Sequence, residues 1–242
     1  MLQKHGGQGG EMMVKALQGS GLLWASGIWL TTGLIGMMMG SLVWLLSDWL
    51  PAKIRGVSFE ISRENIPGFW LLPTLCCGMS LLVAAVLPAR LLPASLLLSW
   101  ILLALIVIDL RYLLLPDVLT LSLLWLGLLG NIAGVISSAL LTEAVLGAAA
   151  GFTVLALLAY GYRMVCKKEG LGLGDAKLLA ALGAWLGMYW LPILVLMASL
   201  ASLIALGIMQ WVSGRPLRDP FPFGAALAVS GWLLFICNPV VA

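Results

Sequence analysis

Eight apolar runs, nearly free of charge, decide what this chain can fold into. They are Leu22–Leu46, Pro67–Leu87, Leu91–Ile108, Val118–Ile136, Ala144–Val165, Leu178–Met188, Leu191–Val212 and Phe221–Cys237. A helix of about 20 apolar residues crosses the hydrocarbon core of a bilayer, and most of these runs approach that length. The sixth is too short to span alone and reads as a half-buried or cavity-lining helix. The second and third form one apolar stretch broken at Pro88, Arg90 and Pro93, long enough for two passes. No run alternates polar and apolar residues, which argues against a membrane β-barrel. Only 10% of residues are charged, against roughly 25% in a soluble domain. With 62% hydrophobic residues, a disordered chain is excluded as well. The expected fold is therefore all-α, a polytopic integral membrane protein of about eight transmembrane helices. Residues 1–21 are polar and Gly-rich, and they lack the joined basic and apolar regions of a signal peptide. They read as a loose tail, with residues 22–242 as a single membrane-embedded domain.

Basic residues orient the spans. Lys53, Arg55, Arg63, Arg111, Arg163, Lys167, Lys168, Lys177, Arg215 and Arg218 fall on one side of the alternation, and Lys4, Lys15 and Arg90 on the other. Cytoplasmic loops carry the excess of Lys and Arg, so the richer side is expected to face the cytoplasm. The net charge of +3 then reflects topology and implies no nucleic-acid partner.

Against this background three carboxylates stand out. Asp109 follows the uncharged run Leu91–Ile108 and ends a span. Asp117 follows Pro116 at the start of the next span, where Asp makes a good N-cap. Asp175 lies in Leu171-Gly172-Leu173-Gly174-Asp175-Ala176-Lys177, at the mouth of the short sixth helix. Gly172 and Gly174 clear side chains from around it, so another backbone can approach. Lys177 is near enough in sequence to favour negative charge on Asp175. The topology puts Asp109 and Asp175 at the same membrane face. Two carboxyls brought within hydrogen-bonding reach share a proton and supply one base and one acid, the arrangement of an aspartic protease.

Two blocks carry a resemblance. One runs from Ile108-Asp109 through Arg111 and Tyr112 to Pro116-Asp117 and on toward Gly127. The other runs Lys168-Glu169-Gly170-Leu171-Gly172-Leu173-Gly174-Asp175-Ala176-Lys177 toward Gly187, and Pro222-Phe223-Gly224 forms a weaker third. Over roughly residues 100–230 the chain resembles the type IV prepilin peptidases, membrane aspartic proteases with a GxGD motif. The resemblance implies Asp109 and Asp175 as the catalytic pair, and the reading of the residues adds Asp117, Gly172, Gly174 and Lys177 as supporting the site. It implies cleavage of the basic leader from type IV prepilins or type II secretion pseudopilins at the cytoplasmic face of the bacterial inner membrane, without a cofactor. Prepilins, pseudopilins and the lipid bilayer are the implied partners.

The first half departs from that family. Long-form members hold zinc on two Cys-x-x-Cys pairs in a large first cytoplasmic loop, whereas the loop at about Asp48–Ile66 contains no cysteine. Cys76 and Cys77 fall inside a span, and Cys166 and Cys237 are isolated, so no tetrahedral ligand set is expected and no zinc. Gly40-Ser41 matches the family's first helix, but Trp44 and Trp49 follow where Asn and Arg are usual. The family's second activity, N-methylation of the new N-terminus with S-adenosylmethionine, is the alternative reading. An ion-coupled transporter is the distant one. Transport sites favour the midplane on repeat-related broken helices, and these aspartates share one face.

Overall fold

In the computed structural model the described residues are 27–53 (28, 48 and 52 excepted), 66–136, 141–166, 172–213 and 221–237. The expected tail at 1–21 and the loop cysteine-free region around 54–65 lie outside them, as does Gly170. Every regular element among the described residues is helical. We label the helices α1 (Trp29–Pro51), α2 (Ile66–Val86), α3 (Leu92–Tyr112), α4 (Asp117–Ile132), α5 (Leu141–Cys166), α6 (Leu173–Leu186), α7 (Leu191–Ser213) and α8 (Phe223–Cys237). Short 3₁₀ turns at Ala89–Leu91 and Met188–Trp190 lead into α3 and α7. The stretches Trp29–Pro51, Ala89–Tyr112, Leu141–Val165 and Met188–Val212 are long and apolar enough to cross a membrane, and α2, α4 and α8 contribute shorter apolar helices. The chain is an all-α, polytopic membrane protein.

At its centre is α6. Ala176 and the whole run Leu178–Leu186 are buried, so this helix is apolar on every side and enclosed by its neighbours. It packs chiefly on α5 and α4, with α8 alongside. Small residues make that possible. A Cβ on Gly147 of α5 would strike the Gly183 carbonyl of α6, a Cβ on Gly183 would strike the Gly147 carbonyl, and Gly151 lies against Leu179 in the same way. The backbones touch directly, as small residues allow between membrane helices. Asn131 Nδ2 donates across to the Ala184 carbonyl (3.0 Å) and Trp185 Nε1 to the Leu123 carbonyl (2.8 Å), tying α4 to α6. Elsewhere α1, α2 and α3 share a second cluster around Val43, Cys76, Trp100 and Leu103.

Several boundaries differ from the sequence reading, and the first helix, for one, runs to Pro51 rather than Leu46. The fourth span ends at Ile132 rather than Ile136, where Gly134 turns the chain with φ +67°. The sixth begins at Leu173, five residues before its apolar run, so Asp175 lies inside its first turn. α3 runs on past Ile108 to Tyr112 and stops at Leu113, whose left-handed backbone (φ 51°, ψ 43°) sends its N–H to the Asp109 carbonyl.

Candidate active site

The C-terminal turn of α3 and the first turns of α4, α6 and α8 meet at one end of the bundle. Each of the three first turns leaves backbone N–H groups without intrahelical partners, and each has a carboxylate nearby, which accepts from a backbone N–H in α6 and α8 only. In α4, Asp117 is the first helical residue. In α6, Gly172 is the N-cap, Asp175 stands three residues on, and the Gly172 N–H faces its carboxylate. That is the return half of a capping box. The third case crosses between helices. α8 enters through Pro222, which has neither an N–H nor a capping side chain, and Asp109 of α3 supplies the missing acceptor. The Ala225 N–H donates to Asp109 Oδ2 at 2.7 Å, and the Gly224 N–H bonds the same carboxylate. The positive ends of helix dipoles thus converge on the acidic groups.

Asp109 is 5% exposed, whereas Asp175 is half-buried, so the pair opens outward on the Asp175 side. Gly224 measures their separation. A Cβ placed on it would be 3.0 Å from Asp109 Oδ2 and 3.0 Å from Asp175 Oδ1. Two oxygens each that close to one point lie at most twice that distance apart. In so tight a space, outside bulk water, two negative charges repel one another strongly.

The expected supporting residues are placed as follows. Lys177 Nζ makes its ion pair with Asp117 Oδ1, at 2.6 Å, so it engages the start of α4 instead of Asp175. The cause is helical phase, since a residue two positions on projects from a different face. Asp117 correspondingly makes no side-chain cap. Gly172 lies 3.6 Å (measured from an added Cβ) from Asp175 Oδ2 and is exposed. Gly174 faces Leu115, 3.0 Å from that side chain by the same measure, which assigns its missing Cβ to packing against the α3–α4 connection. Gly224 and Ala225 escaped the sequence reading as site residues; their signal was the third block, Pro222-Phe223-Gly224.

Similarity to known proteins covers the segment that carries this arrangement. Residues 96–207, which contain both aspartates, match the type IV leader peptidase family. A prepilin leader peptidase/N-methyltransferase of Aeromonas hydrophila is 43% identical over 197 residues, covering 81% of this chain and 64% of that protein. Similarly named proteins of Dickeya chrysanthemi and Neisseria gonorrhoeae are 46% identical over 173 residues (70% of this chain, 60% of theirs) and 48% over 127 residues (52% and 42%). The chain thus spans about half the length of the curated relatives it matches. No solved structure matches it significantly. The segment that bears Asp109 and Asp175 is thus that of the type IV leader peptidase family.

Proposed function

We propose that this chain is a membrane-embedded aspartic endopeptidase that removes the basic leader from type IV prepilins or type II secretion pseudopilins. The supporting observation is the close approach of Asp109 and Asp175 on either side of Gly224. In the mechanism it supports, one carboxylate takes a proton from a water whose oxygen adds to the scissile carbonyl carbon. The partner carboxyl gives its proton to the carbonyl oxygen. Collapse of the resulting diol breaks the C–N bond as the amide nitrogen is protonated, leaving a carboxyl end on the leader and a free amine on the mature chain. The pair is restored without any metal entering the sequence of steps. Lys and Arg distribution supports placing the pair at the cytoplasmic face of the inner membrane.

The relatives' names also carry N-methyltransferase. The groove of about 660 Å³ between α2, α3 and α8 is walled by leucines, with Val229 and Trp232, and its hydroxyl, Thr74, is already bonded to backbone carbonyls. S-adenosylmethionine, with its sulfonium and charged amino-acid end, does not fit that wall.

Mass spectrometry of a co-expressed pseudopilin tests both activities at once, reading leader loss and any added methyl mass on the same N-terminus. Asp109→Asn and Asp175→Asn should each abolish cleavage with protein levels near normal, because Asn keeps the shape and removes the proton chemistry. Full processing by either variant would end the two-aspartate mechanism.

A further inference from the structure

Glycine inside the first turn of a helix costs about 1 kcal/mol relative to alanine, so Gly224 calls for a reason. Backbone freedom is not the reason, because the left-handed glycines among the described residues are Gly134 and Gly187. Space is. Gly224 is buried, and its Cα hydrogen points at the gap between Asp109 Oδ2 and Asp175 Oδ1, where a methyl group would be 3.0 Å from each oxygen and 2.7 Å from Leu115 Cδ1. The leucine methyl is the far end of a flexible side chain and can swing away. The carboxylates cannot do so cheaply, since Asp109 is held by the Ala225 N–H and Asp175 by the first turn of its own helix.

We propose that the first turn of α8 is the positioning element of the site: the Ala225 N–H aims Asp109, and the bare Cα of Gly224 sets its spacing from Asp175. Gly224 and Ala225 touch no substrate in this scheme and act through the two aspartates. The inference rests on the peptidase reading, and it assigns α8 a role in the reaction beyond packing against α3 and α7.

The test is cleavage kinetics of purified, detergent-solubilised enzyme on a pseudopilin, comparing Gly224→Ala, Gly224→Ala with Leu115→Ala, and Gly231→Ala. Gly231 lies on the same helix, and a Cβ there would press at 2.6 Å on Leu182, away from the carboxylates. It therefore reports what crowding of α8 does by itself. Misplacing catalytic groups by about 1 Å can cost on the order of 100-fold. Gly224→Ala, which demands a few tenths of an ångström from each carboxylate, should lower kcat by roughly 10- to 100-fold with KM within about twofold of the unaltered enzyme. Removing Leu115 should not restore it, and Gly231→Ala should keep kcat near normal even where it lowers the melting temperature. Normal kcat in Gly224→Ala, recovery on adding Leu115→Ala, or an equal loss in Gly231→Ala would each overturn the positioning role while leaving the peptidase reading intact. Absence of cleavage by the unaltered enzyme would overturn both.

Discussion

Lys177 stands two residues beyond Asp175 yet reaches Asp117 across the mouth of the site, joining the start of α4 to the first turn of α6. The two side chains are 31% and 59% exposed, so the pair adds at most about 1 kcal/mol to stability. Its consequence is geometric: it joins the start of α4 to the turn that carries Asp175, and it engages a cation that would otherwise be free to approach the two carboxylates. Asp117→Asn keeps a hydrogen-bond acceptor for Lys177 and should reduce pseudopilin processing only a few-fold. Lys177→Glu sets like charges opposite one another and should reduce it further. The exchange Asp117→Lys with Lys177→Glu should recover most of the loss, read as the processed fraction in membranes. An exchange no better than Lys177→Glu alone would show that the pair does not position α6.

At the scale of helices, apolar length was enough to find six of the eight to within a few residues, because a bilayer demands about 20 apolar residues whatever their packing, and the first runs five residues past the reading, to Pro51. Apolar length failed at the start of α6. There the helix begins among Gly172 and Gly174, residues of low helical preference, and forms because its apolar remainder is enclosed by α4, α5 and α8. Asp109 and Asp175 were legible as a pair because charge is conspicuous in an apolar chain. The α8 turn was not, since a glycine's service is the absence of an atom and only the folded neighbours reveal it. The small-residue spacing of Gly147 and Gly151 was visible in the sequence, but their partner Gly183 was not. That packing is testable. Gly183→Ala forces two backbones apart and should cost about 1–3 kcal/mol, seen as a lower melting temperature and reduced accumulation. Gly78→Ala and Gly207→Ala meet nothing within 4 Å and should lower neither, since alanine at an open helix position is favoured over glycine by about 1 kcal/mol. Equal melting temperatures for all three would refute direct backbone contact between α5 and α6.

Across the whole molecule, the ends of α3, α5 and α7 and the starts of α4, α6 and α8 share one side, and the site lies there. Lys53, Arg111, Arg163 and Lys177 belong to that side and Arg90 to the opposite one, and by the positive-inside rule this distribution supports the proposal of a site that faces the cytoplasm. For the proposed peptidase this orientation matters, because an uncleaved basic leader would stay on the side where Lys and Arg are retained. Labelling can decide it. The four cysteines, Cys76, Cys77, Cys166 and Cys237, are first replaced by Ser or Ala. Cys76 is buried between α1 and α2, and Cys237 is exposed at the end of α8, far along that helix from Gly224. Peptidase activity should therefore persist in the cysteine-free protein, and metal analysis should find no stoichiometric zinc. Single cysteines are then returned at Glu169, between α5 and α6, and at Tyr189, which is 78% exposed where α6 passes into α7. An impermeant thiol reagent added to intact cells whose outer membrane is opened should label Tyr189→Cys at once, and Glu169→Cys only after the inner membrane is breached. The opposite pattern would put Asp109 and Asp175 on the periplasmic side, and cleavage would then have to follow translocation of the leader.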